Sequence, residues 1–216
     1  MILKAGLTGG LASGKSTIRR MFADLGCATV DADAIVSRLY QPGEAGHAAL
    51  LETYGPAILL ADGQVDRQKL SALAFSSPGG AQKLNSLIHP LVMAEDARLT
   101  EEALKRSAGN DVIYVVEATL LIEAGGRERY DRMIVVDVAP EVQIPRAVAR
   151  GMDETEARRR IEHQMKREER LRFADYVIDN SGDQERAAAE TRRVYEQLRV
   201  DLARKKEASG YAPEAS

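Results

Sequence analysis

Residues 1–17 read MILKAGLTGGLASGKST, and this stretch decides the fold. Residues 1–7 are mostly apolar and predict a short buried strand, while apolar residues recur at helical spacing from Ser16 until Gly26, a typical helix stop. Between them, residues 9–16 match the pattern G-x-x-x-x-G-K-[ST]. The stretch therefore predicts a strand, a glycine-rich loop and a helix.

The loop has the residue types that hold a chain of phosphates. Its glycines let backbone N–H groups turn inward around an anion, and the helix N-terminus adds partial positive charge. In this pattern Lys15 reaches the terminal phosphates and Ser16 ligates Mg²⁺. A glycine turn that only joined strand to helix would not need a lysine and a hydroxyl after its last glycine. The predicted nucleotide-binding residues are Gly9, Gly10, Leu11, Ala12, Ser13, Gly14, Lys15, Ser16 and Thr17.

Strand and helix patterns alternate along the rest of the chain. Further β-branched or apolar runs, each short enough for a strand, lie at residues 27–30, 112–116, 133–138 and 176–178. Such alternation predicts an α/β fold: a three-layer, doubly wound, mainly five-stranded parallel sheet of the P-loop NTPase type. Ligands of such sheets bind at the carboxyl ends of the strands, so we expect the chemistry there.

Three segments fall outside the sheet pattern. Residues 41–110 lack strand signals and carry turn pairs between amphipathic stretches, which predicts a helical insertion. Residues 145–172, here called the lid segment, are helical, dominated by charge and expected to lie on the surface. Residues 205–216 lack periodicity and predict a flexible tail after a single domain over residues 1–204.

Composition excludes several classes of protein. The chain has 216 residues, a net charge of −3 with both signs interspersed, and 44% apolar residues, so it can form a core and does not resemble a nucleic-acid-coating protein. Cys27 is the only cysteine, which excludes an intrachain disulfide framework. Neither a signal peptide nor a membrane span is evident. We expect a soluble cytoplasmic protein, a monomer or small homo-oligomer, with a small-molecule substrate.

Phosphate loops serve switches, motors and small-molecule kinases, so other residues must decide the function. A GTPase switch would have Asn-Lys-x-Asp after a late strand, whereas this chain continues as DVAP at residues 137–140. Asp31 and Asp33 follow the second strand, at the edge expected to face the γ-phosphate. Asp33 is the candidate general base, or else it only complements a helix dipole; Asp31 is equally suited to catalysis and to capping that helix.

Glu117 ends the apolar run that begins at Val112. Many phosphate-loop proteins place an acidic residue there, which holds Mg²⁺ through water. The alternative is a carboxylate at the strand end that pairs with a nearby arginine. Glu123, six residues later, is expected to be a surface residue.

The lid segment carries several arginines. One predicted helical face has two guanidinium groups and an amide at i, i+4, i+7 and i+11, namely Arg160, Gln164, Arg167 and Leu171. Arg146 and Arg150 form another i, i+4 pair. Such a segment can close over phosphates and stabilise transition-state charge. The alternative is a solvated helix whose arginines pair with Glu156, Glu162, Glu168 and Glu169.

His89 and Pro90 follow Leu87-Ile88 within the helical insertion. Because proline lacks an N–H group, we expect Pro90 to start or end a helix. A lone histidine is more often structural than catalytic, and the alternative is a direct contact of His89 with the substrate.

Five stretches together resemble the dephospho-CoA kinase family. They are LTGGLASGKST (7–17), VDADAI (30–35), LIHP (87–90), VVEATLLIE (115–123) and the run from Gln164 through REERL to ADYVIDNSG (174–182). Their order and spacing extend over nearly the whole chain and are more specific than any one of them alone.

The resemblance implies ATP-dependent phosphorylation of the ribose 3′-hydroxyl of dephospho-CoA, the last step of coenzyme A synthesis. It implies a helical acceptor-binding insertion at residues 41–110 and an arginine-bearing lid. Family roles then fall on residues 12–17 for the ATP phosphates, Asp33 for the general base, and Arg146, Arg150 and Arg167 for lid contacts. Candidate acceptor contacts are Asp31, Asp33, His89, Leu120 and Leu121, and candidate Mg²⁺ residues are Ser16 and, through water, Glu117.

Two positions depart from the family pattern. Ala12 stands where the family usually has glycine, and it is tolerable only if its φ is negative. Thr119 stands where the family usually has proline, which loosens a turn near the acceptor. Neither departure removes a reacting group, so we expect altered affinity rather than lost activity.

Two alternatives stay open. A kinase of the shikimate-kinase type also pairs a phosphate loop with Asp-x-Asp after the second strand, although the roughly 80 residues between Asp31 and Val112 favour a larger acceptor. A nucleotide-dependent regulatory module would turn over ATP far more slowly than a kinase.

Overall fold

Five strands form one sheet in the order β2-β3-β1-β4-β5 in the computed structural model, which describes residues 1–210. Their bounds are β1 Ile2–Gly9, β2 Ala28–Asp31, β3 Val112–Glu117, β4 Arg132–Asp137 and β5 Tyr176–Asp179. β1 is central and runs parallel to both neighbours, with Leu7 opposite Glu117 and Gly9 opposite Val136. β4 and β5 are also parallel. The predicted parallel α/β sheet is confirmed, with β3 between β1 and β2.

Helices flank the strands and occupy the segment between β2 and β3. Their bounds are α1 Lys15–Asp24, α2 Ala32–Leu39, α3 Ala45–Tyr54, α4 Arg67–Ala74, α5 Gly80–Arg106, α6 Pro140–Val148, α7 Glu154–His163, α8 Arg167–Arg172 and α9 Gln184–Ala208. None of the helices within residues 1–210 combines the length and apolar character needed to cross a membrane.

Strand β4 has a continuous apolar sequence because its side chains are buried on both faces of the sheet. Ile134 and Val136 pack into the main core, which includes α1 and α9 side chains such as Phe22. Met133 and Val135 point to the other face and pack in a second cluster. Both faces of the sheet are therefore covered, as expected of a buried parallel strand.

The chain divides into two compact units, one formed by residues 1–30 with 102–210 and the other by residues 31–101. The second unit has its own apolar cluster, in which Leu50, Ile58 and Leu70 are buried. Its bounds lie earlier in the chain than those of the predicted insertion at residues 41–110. The single domain over residues 1–204 stays a prediction.

Pro90 lies inside α5, so the prediction that it starts or ends a helix is wrong. A proline within a helix removes one backbone hydrogen bond and typically costs about 3 kcal/mol. Residues on both sides of it, Ile88 and Val92, pack in the apolar cluster of residues 31–101. That packing opposes the break which Pro90 alone would favour.

The prediction that a flexible tail begins at residue 205 is wrong, because α9 continues to Ala208. Lys205 donates from Nζ to both carboxylate oxygens of Asp131 at 2.7 Å, and Lys206 donates to Asp111 at 3.0 Å. These ion pairs hold the last turns of α9, although the sequence there has no apolar periodicity. Residues 211–216 of the predicted tail lie outside the described residues.

Asp201 of α9 is buried, with 5% of its surface exposed, and it joins the helix to the sheet. Its two carboxylate oxygens accept from Arg132 at 2.8 and 2.9 Å, and Tyr176 donates its hydroxyl to the same group at 2.6 Å. Burial opposes ionisation, but the hydrogen bonds from Arg132 and Tyr176 outweigh it and hold the pKa of Asp201 below its ordinary value.

We expect Asp201→Asn to lower the free energy of unfolding by about 1–3 kcal/mol, because hydrogen bonds to a charged group are lost. The pKa of Asp201 is lower in the folded chain than in the unfolded chain. Its contribution is therefore fully present above the unfolded pKa of about 3.9 and is lost as the pH falls through the folded value. Urea denaturation at pH 7 and below pH 4 measures both effects.

The matched control is Glu196→Gln, which breaks an exposed ion pair with Arg199 in the same helix. Exposed pairs contribute about 0–1 kcal/mol, so this variant should stay close to the parent at both pH values. Equal losses in the two variants would contradict the assignment to Asp201.

Candidate active site

The phosphate loop enters α1 at Gly14, whose φ of 89° lies in the left-handed region. A side chain there would be strained, and its Cβ would overlap Nδ2 of Asn180. Asn180 directly follows β5 and donates from that Nδ2 to the Ser13 carbonyl at 2.7 Å. The loop and the end of β5 therefore meet where only glycine fits.

Gly9 and Gly10 allow equally close packing on the other side of the loop. A Cβ on Gly9 would overlap the carbonyl oxygen of Val136 in β4, and one on Gly10 would overlap Nε2 of Gln143 in α6. Gln143 is itself buried. Gly9, which the motif requires, thus brings the neighbouring strand against the loop, and Gly10, at a variable position of the motif, brings the neighbouring helix against it.

Lys15 is the first residue of α1 and is buried. Its Nζ donates to the carbonyl oxygens of Gly9 and Gly10 at 3.0 and 3.1 Å. These bonds hold the ammonium group of Lys15 against the phosphate loop. A cation in this place is suited to meet an anion held by the loop.

Ser16 and Glu117 lie in direct contact. Ser16 donates its hydroxyl to Oε1 of Glu117 at 2.8 Å, and Arg19 donates from Nε to Oε2 at 2.7 Å. Glu117 is therefore paired with an arginine, as one of its two predicted roles requires. It also contacts the Ser16 hydroxyl, which is predicted to bind Mg²⁺. One hydroxyl and one buried carboxylate fit a cation that takes its other ligands from phosphates and water.

A cavity of about 330 Å³ opens at the loop. Its lining is Ala12, Ser13, Gly14, Lys15, Ser16, Thr17, Arg20 and Arg150. The buried Ser13 hydroxyl has no hydrogen-bond partner within residues 1–210. A cavity at a helix N-terminus, with the cationic side chains of Lys15, Arg20 and Arg150 in its lining, fits the phosphate groups of a nucleotide.

A second cavity of about 340 Å³ continues from the first, since Gly14, Thr17, Arg20 and Arg150 line both. Its other lining residues are Arg146, Asn180, Gly182, Asp183, Gln184 and Ala187. Neither Arg20 nor Asn180 was predicted as a site residue from the sequence. Asn180 lay within the run ADYVIDNSG, which was the available signal, whereas a lone arginine in α1 had none.

Ala12 has a φ of 52°, so the expectation of a negative φ is wrong. The left-handed region costs a residue with a Cβ roughly 1–2 kcal/mol. The conformation is imposed by the loop, whose neighbouring residues are tied to other parts of the chain. Ala108 is the other non-glycine residue with a positive φ within residues 1–210.

We expect Ala12→Gly to raise the free energy of unfolding by about 0.5–1 kcal/mol, because relief of the left-handed strain exceeds the added freedom of the unfolded chain. Ala108→Gly is the matched control: its φ of 49° should give a similar gain at a site outside the loop. Thermal denaturation of both variants measures the effect. A lower melting temperature for Ala12→Gly alone would show that the Ala12 methyl group makes a favourable contact.

The lid segment begins in the last turn of α6 and continues as two short helices, α7 and α8, rather than as a single helix. α7 ends at His163, and Gln164 has an extended backbone with φ −86° and ψ 160°. α8 then begins at Arg167. The prediction that Arg160, Gln164, Arg167 and Leu171 share a helical face is therefore wrong, because the break rotates the second half away from the helical register.

The arginines of the lid segment have different partners. Arg160 pairs with Glu156, which is the predicted solvated-helix alternative. Arg167 donates to both oxygens of Asp137 at 2.8 and 2.6 Å, and this hydrogen-bonded carboxylate raises the pKa of its guanidinium group. Arg146 donates to the backbone carbonyls of Asn180 and Gly182.

Arg150 lies beyond α6, which ends at Val148, so it does not form a helical pair with Arg146 as predicted. Both side chains nevertheless line the second cavity. Arg150 also lines the cavity at the phosphate loop. Arg150 therefore lies at the site although it is outside the helix that carries Arg146.

Arg170 is a functional candidate that the sequence analysis missed. It is only 6% exposed, donates from Nη2 to the Met165 carbonyl at 2.6 Å, and its buried Nε has no partner within residues 1–210. Burial lowers the pKa of its guanidinium group. It lines a cavity of about 320 Å³ together with Gly10 of the phosphate loop. Its spacing in a charged segment gave no sign of burial.

Three further candidates lie in the unit of residues 31–101. Asp31 caps α2 by accepting from the Ala34 N–H at 3.0 Å, as one of its two predicted roles requires. Asp33 lies in the first turn of the same helix. His89 is exposed in α5.

Leu120 and Leu121 differ in exposure. Leu120 is 52% exposed, whereas Leu121 is 2% exposed and packs with Met133 and Val135. A substrate contact stays a prediction for Leu120, but the packing does not support one for Leu121, because its side chain has almost no free surface. Next to them, Thr119 accepts from the Thr8 hydroxyl at its carbonyl oxygen, 3.2 Å away.

A parallel sheet whose central strand leads into a lysine-bearing phosphate loop defines a P-loop protein. The fold is similar to a dephospho-CoA kinase from Campylobacter jejuni, at 23% identity and a TM-score of 0.65 over 92% of this chain and 98% of that one. It is also similar to the shikimate kinase of Acinetobacter baumannii in complex with shikimate, at 14% identity and a TM-score of 0.51 over 93% and 95% of the two chains.

The family described as CoaE, dephospho-CoA kinase, matches residues 3–186. The dephospho-CoA kinase of Aquifex aeolicus is 37% identical over 198 residues, which cover 92% of this chain and 98% of that relative. That of Streptomyces avermitilis is 41% identical over 180 residues, covering 83% and 85% of the two chains. This chain belongs to the dephospho-CoA kinase family.

Proposed function

We propose that the chain transfers the γ-phosphoryl group of ATP to the ribose 3′-hydroxyl of dephospho-CoA and releases coenzyme A and ADP. The family membership supports the reaction, and the contact between Ser16 of the phosphate loop and Glu117 is the structural observation that carries it. That contact joins the nucleotide-binding motif to a carboxylate suited to a phosphate-bound cation.

The nucleotide phosphates bind in the cavity lined by residues 12–17. Inward-facing N–H groups and the start of α1 neutralise their charge, and Lys15 adds a full positive charge beside them. The rest of the nucleotide extends into the adjoining cavity, because the two share Gly14 and Thr17. Arg20 and Arg150 line both and are suited to further phosphate contacts.

Asp33 accepts the proton of the ribose 3′-hydroxyl as that oxygen attacks the γ-phosphorus. The new O–P bond forms as the bond from phosphorus to the β–γ bridging oxygen breaks, and ADP leaves with that electron pair. Support for Asp33 comes from its place two residues after the end of β2 and from the family resemblance. Asp31, which caps α2, holds the first turn that carries Asp33.

Ser16 directly and Glu117 through water would hold Mg²⁺. The cation, when bound, neutralises charge that develops on the phosphates. Within residues 1–210 no group of three or more His, Cys, Asp or Glu side chains could hold a metal by itself. Mg²⁺ commonly uses one or two protein ligands and completes its octahedron with phosphates and water.

The predicted helical insertion at residues 41–110 binds the acceptor, with His89 as its candidate contact. Leu120, which lies outside that insertion, stays a candidate contact predicted from the sequence. The lid segment supplies Arg146, Arg150 and Arg167 to the phosphates. Location in the cytoplasm and the absence of a nucleic-acid partner stay predictions of the sequence.

A coupled ADP-release assay with Mg·ATP, with and without dephospho-CoA, tests the reaction. We expect ADP release to depend on the acceptor and the acceptor to gain the mass of one phosphate. Shikimate serves as the matched alternative acceptor and should support no release. Release with shikimate but not dephospho-CoA, or no acceptor-dependent release from folded, ATP-binding protein, would contradict the proposal.

A further inference from the structure

Side chains from two distant segments hold the phosphate loop on either side of Ala12. The Leu11 N–H donates to Oε1 of Gln164 at 2.9 Å, across 153 positions of sequence. The Ser13 carbonyl accepts from Nδ2 of Asn180 at 2.7 Å, across 167 positions. One residue therefore lies between two long-range hydrogen bonds.

That residue is the strained one, since Ala12 has a φ of 52°. Left alone, an alanine would leave the left-handed region for negative φ. Such conformations persist only where the surroundings over-determine them. The two hydrogen bonds fix the Gly10–Leu11 and Ser13–Gly14 peptide units, one step removed from Ala12. Together with the turn bond from the Ser13 N–H to the Gly10 carbonyl at 3.2 Å, they oppose its return to negative φ.

The break between α7 and α8 brings the Gln164 side chain to the N–H group of Leu11. The extended backbone of Gln164 ends α7, and its side chain reaches Leu11 instead of following the helix surface. Gln164 also lines the cavity of about 320 Å³ next to Gly10. Gln143 and Arg170 line the same cavity, and their side chains pack against Gly10. The first half of the phosphate loop thus rests on side chains of α6, α8 and the α7–α8 junction.

We propose that Gln164 is a positioning residue for nucleotide binding: its bond to Leu11 keeps Ala12 left-handed and so keeps the phosphate loop in its binding conformation. Without it, only part of the population has a competent loop, and the apparent Kd rises by the inverse of that fraction. A glycine at position 12 would remove the need for the bond, because glycine enters the left-handed region freely. The proposal rests on nucleotide binding by the loop, not on the identity of the acceptor.

The test is a double-mutant cycle of Gln164→Met and Ala12→Gly in the full chain, with the Kd of Mg·ATP measured by calorimetry without acceptor. We expect Gln164→Met to weaken binding about tenfold in the parent chain and by at most about twofold in the Ala12→Gly variant. Gln164→Ala removes the same acceptor oxygen and should give the same pattern. Gln197→Met makes the same exchange at an exposed position of α9 and should leave the Kd unchanged.

Kinetics separate positioning from general support of the fold. In Gln164→Met we expect a higher KM for ATP with kcat within about twofold, since saturating nucleotide selects the competent loop. Equal weakening in the parent chain and the Ala12→Gly variant, or an unchanged Kd in Gln164→Met, would overturn the proposal. If the parent chain bound no Mg·ATP at all, the proposed function itself would fail, so the two failures are distinguishable.

Discussion

Lys15→Met lowers kcat/KM for Mg·ATP by about 10²–10³, the loss typical when one charge-stabilising donor is removed from a transition state. The Lys15 ammonium donates to the carbonyls of Gly9 and Gly10 and is buried at the start of α1. Its charge is therefore held in place before the transferring group develops charge, which is what makes such a donor effective. Initial rates at varied Mg·ATP and saturating dephospho-CoA measure the loss.

Lys15→Ala is the paired variant, because methionine keeps much of the side-chain volume and alanine does not. If the charge carries the effect, both variants should lose similar activity, while only Lys15→Ala should also lose packing and melt at a lower temperature. Activity that followed side-chain volume, with Lys15→Met close to the parent, would contradict the electrostatic role.

Asp33→Asn should lower kcat by about 10²–10⁴, the usual contribution of a positioned general base. The change keeps the size of the side chain and removes only the capacity to take the 3′-hydroxyl proton. We therefore expect the Kd of Mg·ATP, measured by calorimetry, to stay at the parent value. Single-turnover rates with dephospho-CoA measure the chemical step separately from product release.

The matched control is Asp66→Asn, in the same unit of residues 31–101. Asp66 caps α4 by accepting from the N–H groups of Gln68 and Lys69, and asparagine caps helices about as well as aspartate. This variant should keep its activity. If Asp31→Asn rather than Asp33→Asn abolished turnover, the base would be the capping residue and our assignment would be wrong.

Short-range signals predicted the frame of the site correctly. The strand, glycine loop and helix over residues 1–26 follow from composition and spacing, because each needs only neighbours within a few positions. Asp31 was predicted either to cap α2 or to act in catalysis, and it accepts from the Ala34 N–H as a cap. Glu117 was predicted to face either a cation site or an arginine, and its two oxygens contact Ser16 and Arg19.

The errors arose where contacts from distant parts of the chain overrode local preference. Periodicity favoured one helix through Gln164, but the chain breaks there and Gln164 bonds to Leu11. Local sterics favoured a negative φ at Ala12 and a helix boundary at Pro90. Long-range contacts help to hold each residue in the less favoured state: Ala12 by the bonds of Gln164 and Asn180, beside the turn bond from the Ser13 N–H to the Gly10 carbonyl, and Pro90 by the packing of its helix.

The sequence by itself determined the class of fold, the phosphate loop and the family, because these depend on patterns of adjacent residues and on their order. The tertiary structure alone decided which side chains hold the loop. Asn180 and Gln164 meet it across more than 150 positions, and Arg170 is buried beside it. Such contacts depend on how the residue after β5 and the α7–α8 junction lie beside the phosphate loop, and no local pattern records that packing.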